Sequence, residues 1–140
     1  QKMTQHKHAS LIIALRDDQI LCIPRKTNPN DFGFPGGKLD EGEDHYDAAH
    51  RELLEETGHV SGYLHYISEK HDGDYVCHLF LTTQARKIDT HDGEPGWCWM
   101  PIDEFLERSI TYKQFNNEVI KLLTMSGFVQ FAPRLQDPNY

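Results

Sequence analysis

The sequence predicts an α/β protein in which a mixed β-sheet lies between helices. Short apolar runs of strand length occur both before and after a helix-like segment at residues 44–57, and an amphipathic segment follows at 115–125. Strands on both sides of a helix, with another helix late in the chain, fit a sheet that helices cover. The length of 140 residues predicts a single domain over residues 1–140.

The first half of the chain contains two predicted strands, a loop and a helix. The strands are the apolar runs 9–15 and 19–23, joined by a hairpin at the polar residues between them. Residues 24–37 are rich in Pro, Gly, Asn and Asp, a composition typical of a loop. The helix covers residues 44–57 and ends at Gly58, since a helix C-terminus favours a residue with positive φ.

The second half alternates shorter elements. In chain order they are strands at 62–67 and 75–83, a polar loop at 87–96, a strand at 97–100, a helical turn at 102–107, an amphipathic helix at 115–125 and an irregular C-terminal tail at 127–140. The helix at 115–125 is predicted because Phe115, Val119 and Leu122 recur at helical spacing.

Charge and hydropathy exclude several classes of function. The net charge is −8, from 22 acidic and 14 basic residues, whereas binding along a nucleic acid needs a basic stripe. We therefore expect no stable nucleic-acid partner, and a small anionic substrate only where cations offset the acidic field. No apolar run is long enough to cross a bilayer, so no membrane partner is expected. Three widely spaced cysteines without a CxxC pair predict reduced thiols in a cytoplasmic protein.

Three glutamates share one face of the first predicted helix. Glu52, Glu55 and Glu56 are related by i,i+3 and i,i+4 spacing. The i,i+4 repulsion costs roughly 0.2–0.5 kcal/mol, and each carboxylate at the negative pole of the helix dipole costs about 0.3–1 kcal/mol. Arg51 cannot neutralise all three. The cluster is either a solvated acidic surface or a site for a hard divalent cation, which takes several carboxylate oxygens from one surface.

A glycine pair lies upstream of this helix, in the segment Phe34-Pro35-Gly36-Gly37-Lys38. Paired glycines allow the backbone to approach a metal or a phosphate closely, and Lys38 adds a cation. Such a pair alone usually marks only a turn. Mg²⁺ leaves most of its coordination positions to water and substrate phosphates, so glycines, lysine and glutamates together favour phosphate chemistry.

These residues resemble the Nudix box, a family signature written G-x5-E-x7-R-E-U-x-E-E-x-G-U, in which U is an aliphatic residue. The matching positions are Gly37, Glu43, Arg51, Glu52, Leu53, Glu55, Glu56 and Gly58. His59 departs from the signature, because an aliphatic residue is expected there. The resemblance implies the Nudix fold, an α/β/α sandwich with a mixed β-sheet, and a hydrolase of nucleoside diphosphates linked to another moiety.

The resemblance also implies a role for each residue of the box. The implied ligands of Mg²⁺, for which Mn²⁺ can substitute, are the carbonyl of Gly36 and the side chains of Glu52, Glu55 and Glu56. Glu52 also orients or deprotonates the attacking water, with Glu55 beside it in the catalytic group. Arg51 holds the glutamates in place, and Glu43 is a supporting carboxylate at the start of the helix, where its charge suits the dipole.

Substrate-binding residues are expected outside the acidic helix. Arg25 follows the second strand, where MutT-type members of the family carry a phosphate-binding arginine, and Lys38 adds a second cation. Asn116 or Asn117 lies near the position of a base-reading asparagine, although an asparagine at a helix start also serves as a cap. Phe34 is placed with the substrate-binding residues as a ring that stacks on a base, while core packing is its alternative.

Two further positions stay open at this stage. Many family members place an additional carboxylate in the loop before the late strand, where it is a base or a metal ligand. Glu94 and Asp92 are the candidates, and the sequence does not choose between them. Trp97 is either a base-stacking ring or a core residue.

The resemblance leaves three substrate classes. Arg25, the segment 34–38 and the late asparagines favour hydrolysis of a nucleoside triphosphate, oxidised or not, to a monophosphate and pyrophosphate. Diadenosine polyphosphate hydrolases of the family often carry a tyrosine about 16 to 18 positions past the box, and Tyr75 lies 16 positions past His59. Hydrolases of ADP-ribose or nucleotide sugars favour a proline in that region, and residues 60–93 contain none.

Outside the enzymes, the alternative is a non-catalytic nucleotide-binding module of the Nudix type. Such modules usually have a broken box, whereas every charged position of the box is present here. Homodimers are frequent in the family, and a homodimer is compatible with this chain, although no sequence feature marks an interface.

Overall fold

The computed structural model describes residues 6–128. In this part of the chain the elements are β1 (Lys7–Arg16), β2 (Gln19–Arg25), β3 (Asn28–Gly33), β4 (Gly36–Lys38), α1 (His45–Thr57), β5 (His59–Val60), β6 (His65–Asp72), β7 (Tyr75–Thr82), β8 (Arg86–Lys87), β9 (Cys98–Pro101), α2 (Ile102–Arg108) and α3 (Lys113–Met125). The predicted α/β class with a mixed sheet is confirmed. None of the helices within residues 6–128 is long and apolar enough to cross a membrane.

The strand β1 is the centre of the sheet. It runs parallel to β7 along most of its length, antiparallel to β4 in its N-terminal half and antiparallel to β2 at its C-terminal end. The strand order is β3-β2-β1-β7-β6, and β9 adds to β2. A separate two-stranded sheet consists of β5 and β8. Parallel and antiparallel neighbours therefore meet at β1, which makes the sheet mixed.

Alternating side chains of the central strands enter two separate cores. On one face Ile12 packs in a cluster with Leu53 of α1. On the other face Ile13 packs in a cluster with Phe105 of α2 and Ile120 of α3. Successive side chains of a strand point to opposite faces, so a strand buried on both faces is a continuous apolar run. The layers are thus α1, the sheet, and α2 with α3, which is an α/β/α sandwich.

The helix α1 is capped at both ends, and its C-cap is the glycine expected from the sequence. Asp44 is the N-cap and accepts a hydrogen bond from the amide of Asp47 at 2.8 Å. Gly58 ends the helix with a φ of 67°, and its amide donates to the carbonyl of Leu54 at 2.9 Å. The predicted helix at 44–57 with its glycine stop is confirmed.

The edge strands depart from the sequence prediction. Residues 24–37, predicted as a loop, contain β3 and β4. Pro29 is tolerated in β3 because this strand lies at an edge of the sheet. The strand predicted at 62–67 lies at His65–Asp72, where its many exposed polar residues hide the alternation that marks a half-buried strand.

Smaller departures occur at element ends. The predicted helical turn at 102–107 is the helix α2, and α3 begins at Lys113, two residues earlier than predicted. Residues 1–5 and 129–140 lie outside the described residues, so the single domain over 1–140 and most of the irregular tail at 127–140 stay predictions.

Asp31 connects β3 to the segment between α2 and α3. Its side chain is buried and accepts hydrogen bonds from the amides of Ile110 and Thr111 at 2.8 and 3.1 Å and from the Thr111 hydroxyl at 2.6 Å. The Nε of Arg25 lies 3.5 Å from Oδ2. Burial opposes ionisation, but the hydrogen bonds from Thr111 and Ile110 outweigh it and hold the pKa of Asp31 below its usual value.

We predict that Asp31→Ala lowers the free energy of unfolding by about 2–3 kcal/mol, because two amides and the Thr111 hydroxyl lose a charged acceptor. Urea denaturation at pH 7 measures this loss, with the exposed Asp89→Ala as the matched control. The wild-type contribution is full above the unfolded pKa of about 3.9 and is lost as the pH falls through the lower folded value. Equal midpoints for Asp31→Ala and Asp89→Ala at pH 7 would show that Asp31 does not stabilise this junction.

Candidate active site

A cavity of about 600 Å³ opens on the face of the sheet that α3 covers. Apolar side chains of the strands form its floor, among them Leu11 and Cys77. Three aromatic residues form walls: Tyr75, Tyr112 and Phe115. A concave, mostly apolar chamber of this volume is typical of small-molecule sites.

One end of this cavity is acidic. Glu56, in the last turn of α1, and Glu94, in the loop before β9, both line it, together with Gly36 and Gly37 of β4. The amide of Gly36 donates to Oε1 of Glu56 at 2.6 Å. The C-terminal end of α1 therefore meets the cavity through Glu56.

Both glycines of β4 have close neighbours on their Cα atoms. A Cβ on Gly36, whose φ is 152°, would lie 2.2 Å from the carbonyl oxygen of Ser10. A Cβ on Gly37 would lie 2.8 Å from Oε1 of Glu52. The pair thus lets β4 fit between β1 and the acidic face of α1. Close packing, and not a turn, explains why glycines occupy these two positions.

The loop before β9 packs against the end of α1. The amide of Glu94 donates to the carbonyl of Glu56 at 2.7 Å. Gly93 has a φ of 78°, and a Cβ there would lie 2.8 Å from that same carbonyl oxygen. These contacts place Glu94 in the cavity, whereas Asp92 does not line it and accepts a hydrogen bond from Trp97 through its backbone carbonyl. Of the two candidate carboxylates, the geometry favours Glu94.

Arg51 holds the acidic side chains of α1 together. Its Nε and Nη2 donate to the two oxygens of Glu43 at 2.8 and 2.9 Å. Its Nη1 donates to Glu52 at 2.9 Å and to Glu55 at 3.2 Å. Its Nη2 also donates to the carbonyl of Lys38 at 3.2 Å, which ties the helix to β4. This is the geometry that the positioning role expected of Arg51 requires.

The carboxylates differ in how easily they ionise. The hydrogen bond from Arg51 lowers the pKa of Glu43. Burial raises the pKa of Glu52. Burial also raises the pKa of Glu56 to about 8, with the charges of Glu52 and Glu94 adding to the rise and the Gly36 hydrogen bond opposing it. The charge of Lys26 also opposes the rise but does not outweigh the effect of burial.

This arrangement fits a hard divalent cation by the chemistry of its donors. Glu52 and Glu55 each give one oxygen to Arg51, and Glu56 gives one to Gly36. The second oxygen of each has no hydrogen bond to a described residue, and oxygen ligands are those that Mg²⁺ prefers. Within residues 6–128 no three His, Cys, Asp or Glu side chains already converge on one point. The side chain of Glu55 is 58% exposed and lies outside the cavity lining.

Three cations also line the cavity. Arg25 and Lys38 do so as the sequence analysis expected, and Lys26, which it missed, lies beside them. The guanidinium of Arg25 lies 4.9 Å from the centre of the Tyr112 ring, and Nζ of Lys38 lies 5.8 Å from that of Tyr75. Their placement agrees with the phosphate-binding role expected of Arg25 and Lys38.

The two late asparagines lie in different surroundings. Asn116 is buried, lines the cavity and donates from its amide nitrogen to Oγ of Ser109 at 3.0 Å. Asn117 does not line the cavity, and its amide nitrogen donates to the carbonyl of Lys113 at 3.0 Å. Neither is a helix cap, because α3 begins three residues before Asn116 with Tyr112 at the N-cap position. Only Asn116 is placed to meet a substrate in the cavity.

The aromatic candidates are mainly core residues. Phe34 is buried against Phe105 at a ring-centroid distance of 5.0 Å and also lines the cavity. Trp97 is half-buried, packs against the core cluster under α1 and does not line the cavity. The rings that form the walls of the cavity lie instead at Tyr112 and Phe115, which the sequence analysis did not assign to the site, and at Tyr75, which it noted.

His59, the departure from the Nudix box, fills its position as a buried hydrogen-bonded ring. Its Nδ1 lies 2.7 Å from the carbonyl of Thr57, and its Nε2 accepts a hydrogen bond from Nε1 of Trp99 at 3.3 Å. The Trp97 ring packs edge-on against it at 5.0 Å. Both ring nitrogens are satisfied, so the substitution leaves the turn after α1 packed.

Comparison with known proteins identifies the family. A model of the NUDIX domain matches residues 5–123, most of the chain. A Bacillus subtilis (strain 168) protein, whose name assigns it provisionally as an 8-oxo-dGTP diphosphatase, is 45% identical over 51 residues. That alignment covers 36% of this chain and spans about a third, 34%, of the relative.

Solved structures share the fold. A NUDIX hydrolase from Nitrosomonas europaea superposes with a TM-score of 0.68 at 22% identity, over 91% of this chain and 98% of that one. A MutT structure from work on Aliivibrio salmonicida and Vibrio cholerae gives 0.68 at 20% identity, over 86% and 99%. A structure described as an ADP compounds hydrolase gives 0.64 at 23% identity, over 89% and 77%. Because the NUDIX domain model matches residues 5–123, which is most of this chain, the chain belongs to the Nudix hydrolase family.

Proposed function

We propose that this protein is a Mg²⁺-dependent pyrophosphohydrolase that converts a nucleoside triphosphate, oxidised or not, to a monophosphate and pyrophosphate. One observation carries the proposal: the cavity joins the acidic end of α1 to an aromatic chamber large enough for a nucleoside. A nucleotide has the same two parts, an anionic chain that needs cations and a flat ring that stacks on aromatic side chains.

The lining suggests how a nucleotide lies in the cavity. Tyr112 and Phe115 offer faces for the base, and Asn116 offers a polar group beside them. Arg25, which already contacts Tyr112, and Lys38 line the same cavity as Glu56 and would bind the phosphates. Fixed cations on this route offset the acidic net charge for an anionic substrate.

Glu52, Glu55 and Glu56 are the residues that would hold Mg²⁺, with Glu94 and the Gly36 carbonyl as further oxygens. When bound, the cation neutralises phosphate charge and lowers the pKa of a bound water. The chain itself supplies orientation. Arg51 fixes two of the glutamates, and the Gly36 amide fixes the third. Displacement at phosphorus depends mainly on such positioning.

The attacking water needs a carboxylate that takes its proton. Glu52 is the residue that the family resemblance puts in this role, and Glu94 is a carboxylate that lines the cavity together with Glu56. We assign Glu52 to orienting and deprotonating the water. We assign Glu94 to supplying a further oxygen to the cation. Each is close enough to Glu56 to affect its pKa.

The similarity to the Bacillus subtilis protein supports the triphosphate as substrate. Its name refers to an oxidised deoxyguanosine triphosphate, and the matched segment is 45% identical. The structural neighbours, all below 25% identity, support the fold alone.

Hydrolysis of dinucleoside polyphosphates is the second candidate. Tyr75, which stands at the spacing typical of that class, lines the cavity beside Lys38. Its ring would stack on a second base or contact the polyphosphate chain. Turnover of ADP-ribose or nucleotide sugars has no comparable support from a residue of the cavity.

We predict that the purified protein with Mg²⁺ releases pyrophosphate and a monophosphate from dGTP and 8-oxo-dGTP. The value of kcat/KM for the better triphosphate should exceed those for diadenosine polyphosphates, ADP-ribose and nucleotide sugars at least about tenfold, since the lining residues that we assign to the base and the phosphates match one nucleotide. Chromatographic identification of products measures this. Preferred cleavage of diadenosine polyphosphates would select the second candidate, and nucleotide binding without turnover would identify a binding module.

We predict that Glu52→Gln lowers kcat at least about a hundredfold, because glutamine keeps the shape of the side chain but cannot accept the proton of water or ligate a cation as an anion. Steady-state kinetics with saturating Mg²⁺ measure the loss, and circular dichroism checks the fold. Glu41→Gln, at an exposed position before the helix, is the matched control and should leave kcat unchanged. A Glu52→Gln enzyme as active as wild type would remove Glu52 from the mechanism.

A further inference from the structure

Two of the three cysteines lie side by side across neighbouring strands. Cys22 of β2 and Cys98 of β9 are directly opposed in the antiparallel register. Their sulfur atoms are 3.8 Å apart, and the Cys22 thiol lies 3.6 Å from the carbonyl oxygen of Cys98. Opposed residues of antiparallel strands have Cα separations of about 4.5–5.5 Å, inside the range that a disulfide spans. Both are free thiols in the described protein.

We propose that Cys22 and Cys98 form a reversible intramolecular disulfide when the protein meets a peroxide, so that this strand pair is a site of oxidative modification. The two sulfur atoms need to move together by somewhat less than about 2 Å to reach bonding distance. The third cysteine, Cys77, lies on β7 and has no sulfur partner among the described contacts.

The two thiols differ in access, which sets the order of the chemistry. Cys98 is partly exposed, whereas Cys22 is fully buried, and burial raises the pKa of the Cys22 thiol. The thiolate of Cys98 attacks one oxygen of the peroxide, the O–O bond breaks, and Cys98 becomes a sulfenic acid while hydroxide, or alkoxide, leaves and takes up a proton. The sulfur of Cys22 then attacks the sulfenic sulfur, the S–O bond breaks, and its proton leaves with the hydroxyl group as water. The cysteine pair loses two electrons and the peroxide gains them.

The position of the pair connects it to the cavity. Ile23, Pro24 and Arg25, which follow Cys22, line one wall. Glu94 and Pro95, shortly before Cys98, line the wall at the acidic end. These walls already touch, since a Cβ on Gly96 would lie 2.7 Å from Cγ of Pro24. A disulfide between the cysteines would link these two segments covalently, next to the residues by which they line the cavity.

The test uses the reduced full-length protein treated with hydrogen peroxide, denatured in N-ethylmaleimide and weighed by intact mass spectrometry. We expect a loss of about 2 Da before alkylation, one maleimide adduct where the reduced protein takes three, and recovery of all three with dithiothreitol. Peptide mapping should find Cys22 joined to Cys98. The melting temperature of the oxidised protein should rise by on the order of 5 °C, because the bond closes a long loop.

Matched variants distinguish a disulfide between Cys22 and Cys98 from other products of oxidation. Cys77→Ser should still form the disulfide, and Cys98→Ser should not lose the 2 Da. Three adducts in the treated wild type, a bond that includes Cys77, a dimer linked between chains, or sulfinic acid without a disulfide would each overturn the proposal. None of these readouts depends on the nucleotide that the enzyme hydrolyses.

Discussion

The concentration of negative charge at the C-terminal end of α1 is the constraint on which the site depends. Glu52, Glu55 and Glu56 crowd the negative pole of the helix, and one arginine compensates them from one side only. Burial raises the pKa of Glu56 to about 8, so the protein alone does not keep this carboxyl ionised at neutral pH. In the function that we propose, a divalent cation would supply the missing charge and, with it, an affinity for phosphate.

The rest of the fold keeps this acidic end beside the cavity. The antiparallel pairing of β4 with β1 brings two glycines against α1, and a side chain on either would collide with Ser10 or Glu52. The loop before β9 packs against the same end of α1, where the amide of Glu94 donates a hydrogen bond to the carbonyl of Glu56. The sheet and α3 then provide the chamber in which a flat ring can lie. Each part is ordinary packing, and its effect is to hold carboxylates, cations and aromatic faces around one space.

Prediction from the sequence succeeded where local chemistry decides the structure. The apolar runs of β1 and β7, the Asp44 and Gly58 ends of α1 and the Nudix box all have patterns that depend on few neighbours. It failed for β3 and β6, because edge strands carry prolines and polar residues that resemble loops. Within the site, only the tertiary fold separates Glu94 from Asp92 and Asn116 from Asn117, since each pair is nearly equivalent in sequence. Tyr112 and Phe115 have no local signal at all, because a ring that lines a cavity and a ring in a core occupy the same helical positions.

Isothermal titration calorimetry with MgCl₂ and MnCl₂, in the presence of a non-hydrolysable nucleoside triphosphate analogue, measures the central interaction most directly. The wild-type protein should bind the cation, and Glu56→Gln, with one carboxylate fewer at the buried position, should bind it at least about tenfold more weakly while the exposed Glu41→Gln binds it normally. Cation binding that is absent from the wild type, or equal in the wild type and Glu56→Gln, would contradict the view that the acidic end of α1 exists to hold a divalent ion.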